Sequence, residues 1–211
     1  MLNKKVYLQL EQVMFGTEIW VNNKKIGGDI PCYTSQEFDI TPYLRVDDMN
    51  CLVIRIGRRE TLPTQSAVGN DYEKISWIPG IYGDVWLHCH GEGRAKWTRI
   101  MSDTKTGNIS VTTILENLVN EPQLFTVSYQ IFEKKNKSQV TQKLTFIRRV
   151  KAKSQLVLKS NMIIPDFKLW APHDPFLYQL EICLICNGKI SDRQIITFGM
   201  RNFTMKGGHF Y

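Results

Sequence analysis

Acidic pairs, a Cys-x-x-Cys, a His-x-His and one long basic run are the patterns in this 211-residue chain that could do chemistry. Two carboxyl groups can hydrolyse a glycosidic bond when they stand about 5–9.5 Å apart on either side of it. No such pair stands out. Asp47 and Asp48 share a turn with Arg45, Asp71 and Glu73 share a loop, and most others fall on the polar phase of strand-like segments, as solvated surface does. Cys32, Cys51, Cys89, Cys183 and Cys186 are odd in number, which argues against a complete disulfide framework. Cys183 and Cys186 mimic a metal knuckle, but three positions apart on a strand they point to opposite faces, whereas a knuckle needs a turn between its ligands. His88 and His90 share a strand face and could hold zinc with a third ligand, but the sequence offers none, so they read as polar strand-end histidines. No metal site is expected. Phosphate-cradling glycine motifs are absent, so no nucleotide cofactor is expected either.

The run from Lys134 to Lys159 holds nine basic residues (Lys134, Lys135, Lys137, Lys143, Arg148, Arg149, Lys151, Lys153, Lys159) and no acidic one. Its single aromatic, Phe146, is too little for base stacking, and two strands joined by a basic turn describe it better than a nucleic-acid site. It is read as a solvated or interdomain face, with no nucleic acid as partner.

The elements that must position these residues are strands. Phe125, Val127, Tyr129 and Ile131 alternate with polar residues, as do Leu180, Ile182 and Leu184, which is the period of a strand with one wet face. Turn signals recur at strand-length spacing, among them Asn22-Asn23, Lys105-Thr106-Gly107-Asn108 and Asn187-Gly188. Many short strands with frequent turns predict an all-β chain of β-sandwiches. One helical turn is predicted at residues 39–44, with Thr41 capping free N–H groups and Pro42 at the first helical position. Trp20, Trp86, Trp97 and Trp170 lie in or beside strand patterns and are read as core.

Composition agrees with a globular chain, with 43% hydrophobic and 11% aromatic residues. Apolar runs stop far short of the roughly 20 residues that cross a bilayer, so no membrane contact is expected. The first residues lack the apolar stretch and small-residue cleavage site of a signal peptide, and the compartment, cytoplasm or periplasm, is left open. Residues 1–92 carry nine basic and twelve acidic side chains, whereas residues 93–211 carry eighteen and eight. The sign change coincides with Gly91-Glu92-Gly93, read as a hinge, so a domain boundary is expected near residue 93.

Four blocks carry a resemblance. Val6 to Val13 with Thr17 to Gly27, then Tyr33 to Leu44, Asn50 to Ile56 and Gly80 to Leu87, resemble in order the sugar-binding-type domain of family 2 glycoside hydrolases, which include β-galactosidases, β-glucuronidases and β-mannosidases. Leu169-Trp170-Ala171-Pro172, Pro175 to Tyr178 and Phe198-Gly199-Met200-Arg201 resemble that family's immunoglobulin-like sandwich. The resemblance implies a jelly-roll (galactose-binding-like) domain over 1–92, truncated at its N-terminus. It implies an immunoglobulin-like sandwich over 93–203, and over 204–211 the start of a linker to a catalytic (β/α)8 barrel. That barrel supplies both catalytic glutamates in the family, so the chain holds no catalytic residue, is expected to be inactive alone, and has the barrel of its own parent polypeptide as partner. Gly83 stands where the family often has arginine, which removes a possible ion-pair partner for a neighbouring domain. Some members send an acidic side chain into the active site from the loop before that block, where Asp71 and Glu73 are loose counterparts. Tyr72 and Trp77 fall in the same loop with polar neighbours, so Asp71, Tyr72, Glu73 and Trp77 form the expected carbohydrate-binding or active-site rim. Two other readings stay open at this point: a free-standing carbohydrate-binding module, and an immunoglobulin-like structural or interaction protein.

Overall fold

The computed structural model describes residues 4–30, 33–57 and 78–210. The chain is all-β, and it divides into two compact units, Met1–Cys89 and His90–Tyr211.

The first unit holds strands β1 (Lys5–Leu10), β2 (Val13–Met14), β3 (Thr17–Val21), β4 (Lys24–Gly27), β5 (Gln36–Asp39), β6 (Leu52–Ile56) and β7 (Gly80–Ile81), and β8 (Val85–His90) runs to its end. β1 lies between β5 and β8, β3 lies between β4 and β6, and β2 pairs with β7. Leu8 and Leu10 on β1 and Ile19 and Val21 on β3 sit two residues apart, so each strand turns one apolar row inward; with Val13 and Ile40 they form the core. Burying each such side chain stabilises the unit by about 1.5–3 kcal/mol. The β3–β4 hairpin turns on Asn22 and Asn23, at φ 50° and 65°. Both need the left-handed region of a type I′ turn, which asparagine tolerates. The Asn22 side chain also ties the hairpin to its neighbours. Its Nδ2 donates to the Tyr43 carbonyl and to Asn50 Oδ1, both at 2.8 Å, and its Oδ1 accepts from Cys51 N at 3.0 Å.

The helical turn is a single 3-10 turn, Thr41–Tyr43, with Pro42 in its first positions. Thr41 does not cap it. Its hydroxyl instead meets β1, accepting from Val6 N at 2.8 Å, while Asp39 Oδ1 accepts from Thr41 N at 2.9 Å. The acidic neighbour won because its carboxylate reaches the amide two residues on, as in an Asx turn.

The second unit holds β9 (Gly93–Ser102), β10 (Asn108–Asn117), β11 (Gln123–Glu133), β12 (Leu144–Val150), β13 (Gln155–Ile163), β14 (Trp170–Ala171), β15 (Asp174–Pro175), β16 (Tyr178–Cys186), β17 (Lys189–Phe198), β18 (Met205–Lys206) and β19 (His209–Phe210). A three-stranded sheet, β13-β10-β9, faces a four-stranded one, β12-β11-β16-β17. This is an immunoglobulin-like sandwich. Phe125, Val127, Tyr129 and Ile131 from β11 meet Leu180, Ile182 and Leu184 from β16 and Ile109, Val111 and Leu115 from β10 in its core. The Asn187-Gly188 hairpin has φ 50° and 73°, again the signature of a type I′ turn. Cys183 and Cys186 lie on opposite faces of β16, Cys186 buried, and burial together with the charge of Glu92 pushes the Cys186 thiol up.

Two expectations are corrected here, and the turn expected within the basic run is given its place. Gly93 is not hinge but strand: an added Cβ would stand 2.4 Å from Phe125 Cζ, and one at Gly91 would stand 2.7 Å from Ser191 Oγ, so both glycines allow close packing. The tryptophans are not core: Trp86 and Trp97 are 48% and 51% exposed, and Trp20 and Trp170 only partly buried, while Phe15, Phe125, Tyr129 and Tyr178 fill the interior. Finally, the strands within the basic run, β12 and β13, belong to different sheets, so residues 151–154 form a corner between sheets. Lys153 is used there, donating to the Leu118 carbonyl at 2.8 Å.

Candidate functional site

Asp71, Tyr72, Glu73 and Trp77 lie outside the described residues. The described residues that follow them include two exposed groups, Ile78 and Tyr82. Ile78 is 73% exposed, and Tyr82, whose hydroxyl donates to the Ile78 carbonyl at 2.7 Å, has its ring 6.0 Å from that of Tyr33. Gly83 donates to the Glu11 carbonyl at 3.2 Å, and a Cβ there would fall 2.7 Å from Glu11 Cβ. The close approach of Glu11, just beyond β1, thus requires glycine at position 83.

On the exposed face of β4-β3-β6, Glu18 stands between Lys25 and Arg55, hydrogen-bonded to the first and 2.8 Å from Arg55 Nη1. The Lys25 hydrogen bond leads several interactions that hold the Glu18 carboxyl below the usual range. The trio borders a cleft of about 610 Å³ that is walled on the other side by Gly27, Gly28 and Asp29. Since both cations are already bonded to the one acid, the arrangement suits ordering the sheet face more than acid–base chemistry.

In the second unit the polar groups are more deeply set. The β16–β17 register jumps from Leu184↔Asp192 to Ile185↔Ile190, leaving Ser191 as the extra residue of a β-bulge. The bulge turns two consecutive polar side chains inward. Ser191 Oγ donates to the Gly93 carbonyl at 2.7 Å and accepts from Gly93 N at 2.8 Å. Asp192 takes Ala95 N at 2.8 Å and Gln194 Nε2 at 3.0 Å on Oδ2, and His90 Nδ1 stands 3.0 Å from Oδ1. His90 is therefore the strand-end histidine expected from the sequence, and it is buried with a carboxylate partner. His88, whose Nε2 lies 2.8 Å from Gln9 Oε1, has separate surroundings. Among the described residues, no group of three or more His, Cys, Asp or Glu side chains is placed to hold a metal ion.

Glu116, on the outer face of β10, receives Arg94 Nε at 2.7 Å, Lys96 Nζ at 3.2 Å and Gln155 Nε2 at 2.7 Å. Burial pushes its carboxyl up, but the Gln155 and Arg94 hydrogen bonds and the neighbouring cations outweigh that and hold it below its ordinary 4.5. A depressed carboxyl stabilises the fold above its unfolded value, and that contribution is lost as pH falls through the folded one. Glu116→Gln is accordingly expected to melt below the parent at pH 7, with the gap closing as pH falls below about 4, as thermal unfolding at both pH values would show.

The blocks at 169–172, 175–178 and 198–201 converge in space. Trp170 N donates to the Met200 carbonyl at 3.0 Å, the Arg201 guanidinium lies 4.8 Å from the Trp170 ring, and a Cβ on Gly199 would stand 2.8 Å from Trp170 Cβ. Tyr178 meets Phe176 edge-on at 5.1 Å and stacks on Phe198 at 5.7 Å, and its hydroxyl accepts from Lys168 N at 2.9 Å. The sequence pattern of the family described as Glycosyl hydrolases family 2 covers this architecture, matching residues 95–201, just over half of the chain. The chain belongs to that family. Its family 2 relatives extend the likeness over both units. A β-galactosidase of Thermoanaerobacter pseudethanolicus is 26% identical over 99% of this chain and 28% of its own length, and a β-galactosidase of Bacteroides ovatus is 24% identical over 94% and 23%. Among solved structures, a β-glucuronidase of Bacteroides uniformis superposes with a TM-score of 0.80 at 20% identity, covering 99% of this chain and 26% of that one. At that identity the superposition speaks for the fold. The chain spans about a quarter of the length of these family 2 relatives.

Proposed function

We propose that the chain is the non-catalytic portion of a family 2 glycoside hydrolase, two β-sandwich units that scaffold a catalytic barrel of the same parent polypeptide and shape its substrate entrance. The observation that carries this reading is the match of almost the whole chain to about a quarter of β-galactosidases and a β-glucuronidase. The use of its buried acids supports it: Asp192 and the largely covered Glu116 are bonded to groups of their own unit, as structural carboxylates are. The parent would cleave a β-glycoside with retention, through an acid/base carboxyl and a nucleophilic carboxylate outside this chain. The loop of Asp71, Tyr72, Glu73 and Trp77 would contribute to the entrance.

Purified alone, the 211-residue chain is expected to release no chromophore from nitrophenyl β-galactoside or β-glucuronide, and to raise activity when combined with the catalytic part of its parent. Turnover by the chain alone, abolished by changing one of its own carboxylates, would refute the reading.

A further inference from the structure

The outward face of the three-stranded sheet β13-β10-β9 has an order that the scaffold reading does not use. Its register lines side chains up in rungs across the strands. Trp97, Ile114 and Val157 make one rung, Arg99, Thr112 and Lys159 the next, and Ser110 with its partners Met101 and Asn161 the third. The alternating burial of β10 shows that Ser110, Thr112 and Ile114 point away from the core, and Trp97, Arg99, Val157, Lys159 and Asn161 are exposed. Arg99 and Lys159 make no side-chain ion pair or hydrogen bond among the described residues, whereas the cations beside Glu116 are already bonded.

The face thus offers one flat aromatic ring, two free cations a rung away, and beyond them a hydrogen-bonded row in which Ser110 Oγ donates to Asn161 Oδ1 at 2.8 Å. A rung is about 7 Å along a strand, the reach from the centre of a pyranose ring through its exocyclic carboxylate to a bonded guanidinium. Protein-docking faces concentrate apolar groups at the centre and exclude charge from it; here two cations flank Thr112 in the rung between Trp97 and Ser110. Single-stranded nucleic acid needs successive rings to stack on, and this face carries one.

We infer that this face binds an acidic oligosaccharide, with a uronic-acid ring stacked on Trp97 and its carboxylate held by Arg99 and Lys159. The choice of a sugar acid over other anions rests on the glycosidase reading above. The binding itself is independent of catalysis, so that absence of turnover and absence of binding report on different claims.

Calorimetric titration of the 211-residue chain with a galacturonate hexamer tests it, beside a neutral galactose hexamer and a thymidine hexamer. Saturable binding of the acidic sugar is expected, at least about tenfold tighter than either comparison. Trp97→Ala should weaken it about tenfold, and Arg99→Gln with Lys159→Gln should abolish it. These side chains are exposed, so all variants should keep the parent's melting temperature. Absence of saturable binding to galacturonate would overturn the inference. So would equal binding of the thymidine hexamer, or affinity unchanged in folded Trp97→Ala, since either would mean unspecific attraction of anions. Glycoside turnover by the chain would count against the function proposed above and leave this titration readable.

Discussion

Asp192→Ala is expected to destabilise the His90–Tyr211 unit by about 3–5 kcal/mol, because several buried groups would lose the one acceptor they share. The carboxylate gathers Ala95 N and Gln194 Nε2 on one oxygen and His90 on the other, and its surroundings are dry enough that water does not replace it readily. Each donor left without an acceptor in such a place costs about 1–3 kcal/mol. A domain has about 5–15 kcal/mol in hand, so the urea midpoint should fall steeply while the slope stays the same. Asp192→Asn keeps one acceptor oxygen and should lose about half as much. An unfolding free energy for Asp192→Ala within about 0.5 kcal/mol of the parent's would mean that the bulge needs no carboxylate.

The second large effect is expected at Asn117, whose side chain is buried at the end of β10. Its Nδ2 donates to the carbonyls of Glu121, Val150 and Lys151 at 2.8, 3.2 and 3.0 Å, and its Oδ1 accepts from Val119 N at 3.0 Å. One amide thereby ties the turn after β10 to the end of β12. Asn117→Ala should cost about 2–4 kcal/mol by the same reasoning. Asn117→Asp separates this account from a simpler one. If the residue served only to close its local turn, aspartate would do as well. Because the Nδ2 side faces three carbonyl oxygens, a carboxylate there meets only acceptors, so Asn117→Asp should be at least as unstable as Asn117→Ala in denaturant titration.

Much of the fold was legible because strand periodicity is a local property. The alternation of Phe125 to Ile131 and Leu180 to Leu184, and the paired turn residues at 22–23 and 187–188, name the strands and hairpins that the structure contains. What periodicity does not reveal is which phase faces inward when both carry large apolar groups. Around Trp97 the alternate positions Thr98 and Ile100 took the inside, and Trp97, Arg99 and Met101 were left outside. Capping failed for a similar reason: Thr41 and Asp39 are both able caps, and the hydroxyl was drawn to Val6, far away in sequence. The His90 pairing spans about a hundred residues and leaves only one local trace, the polar Ser191-Asp192 interrupting an otherwise alternating strand. As for the expected rim, loop position and polar neighbours picked out Asp71, Tyr72, Glu73 and Trp77, which lie outside the described residues. The exposed pair Tyr33 and Tyr82 is brought together through the Val13 and Gln12 carbonyls, to which their backbones respectively bond, and that pairing leaves no local trace in the sequence.

The surplus residue in β17 also sets the parity of everything after it. Downstream of Ser191, Arg193, Ile195 and Thr197 face solvent while Ile196 and Phe198 face the interior. Deleting a residue downstream of the bulge, between Arg193 and Thr197, would exchange the inward and outward sets beyond it and drive the Phe198 ring toward water. Changes of chain length in this hairpin are therefore confined to its Asn187-Gly188 tip, where an added Cβ on the glycine would meet nothing within 4 Å, and the body of the strand can vary by replacement alone.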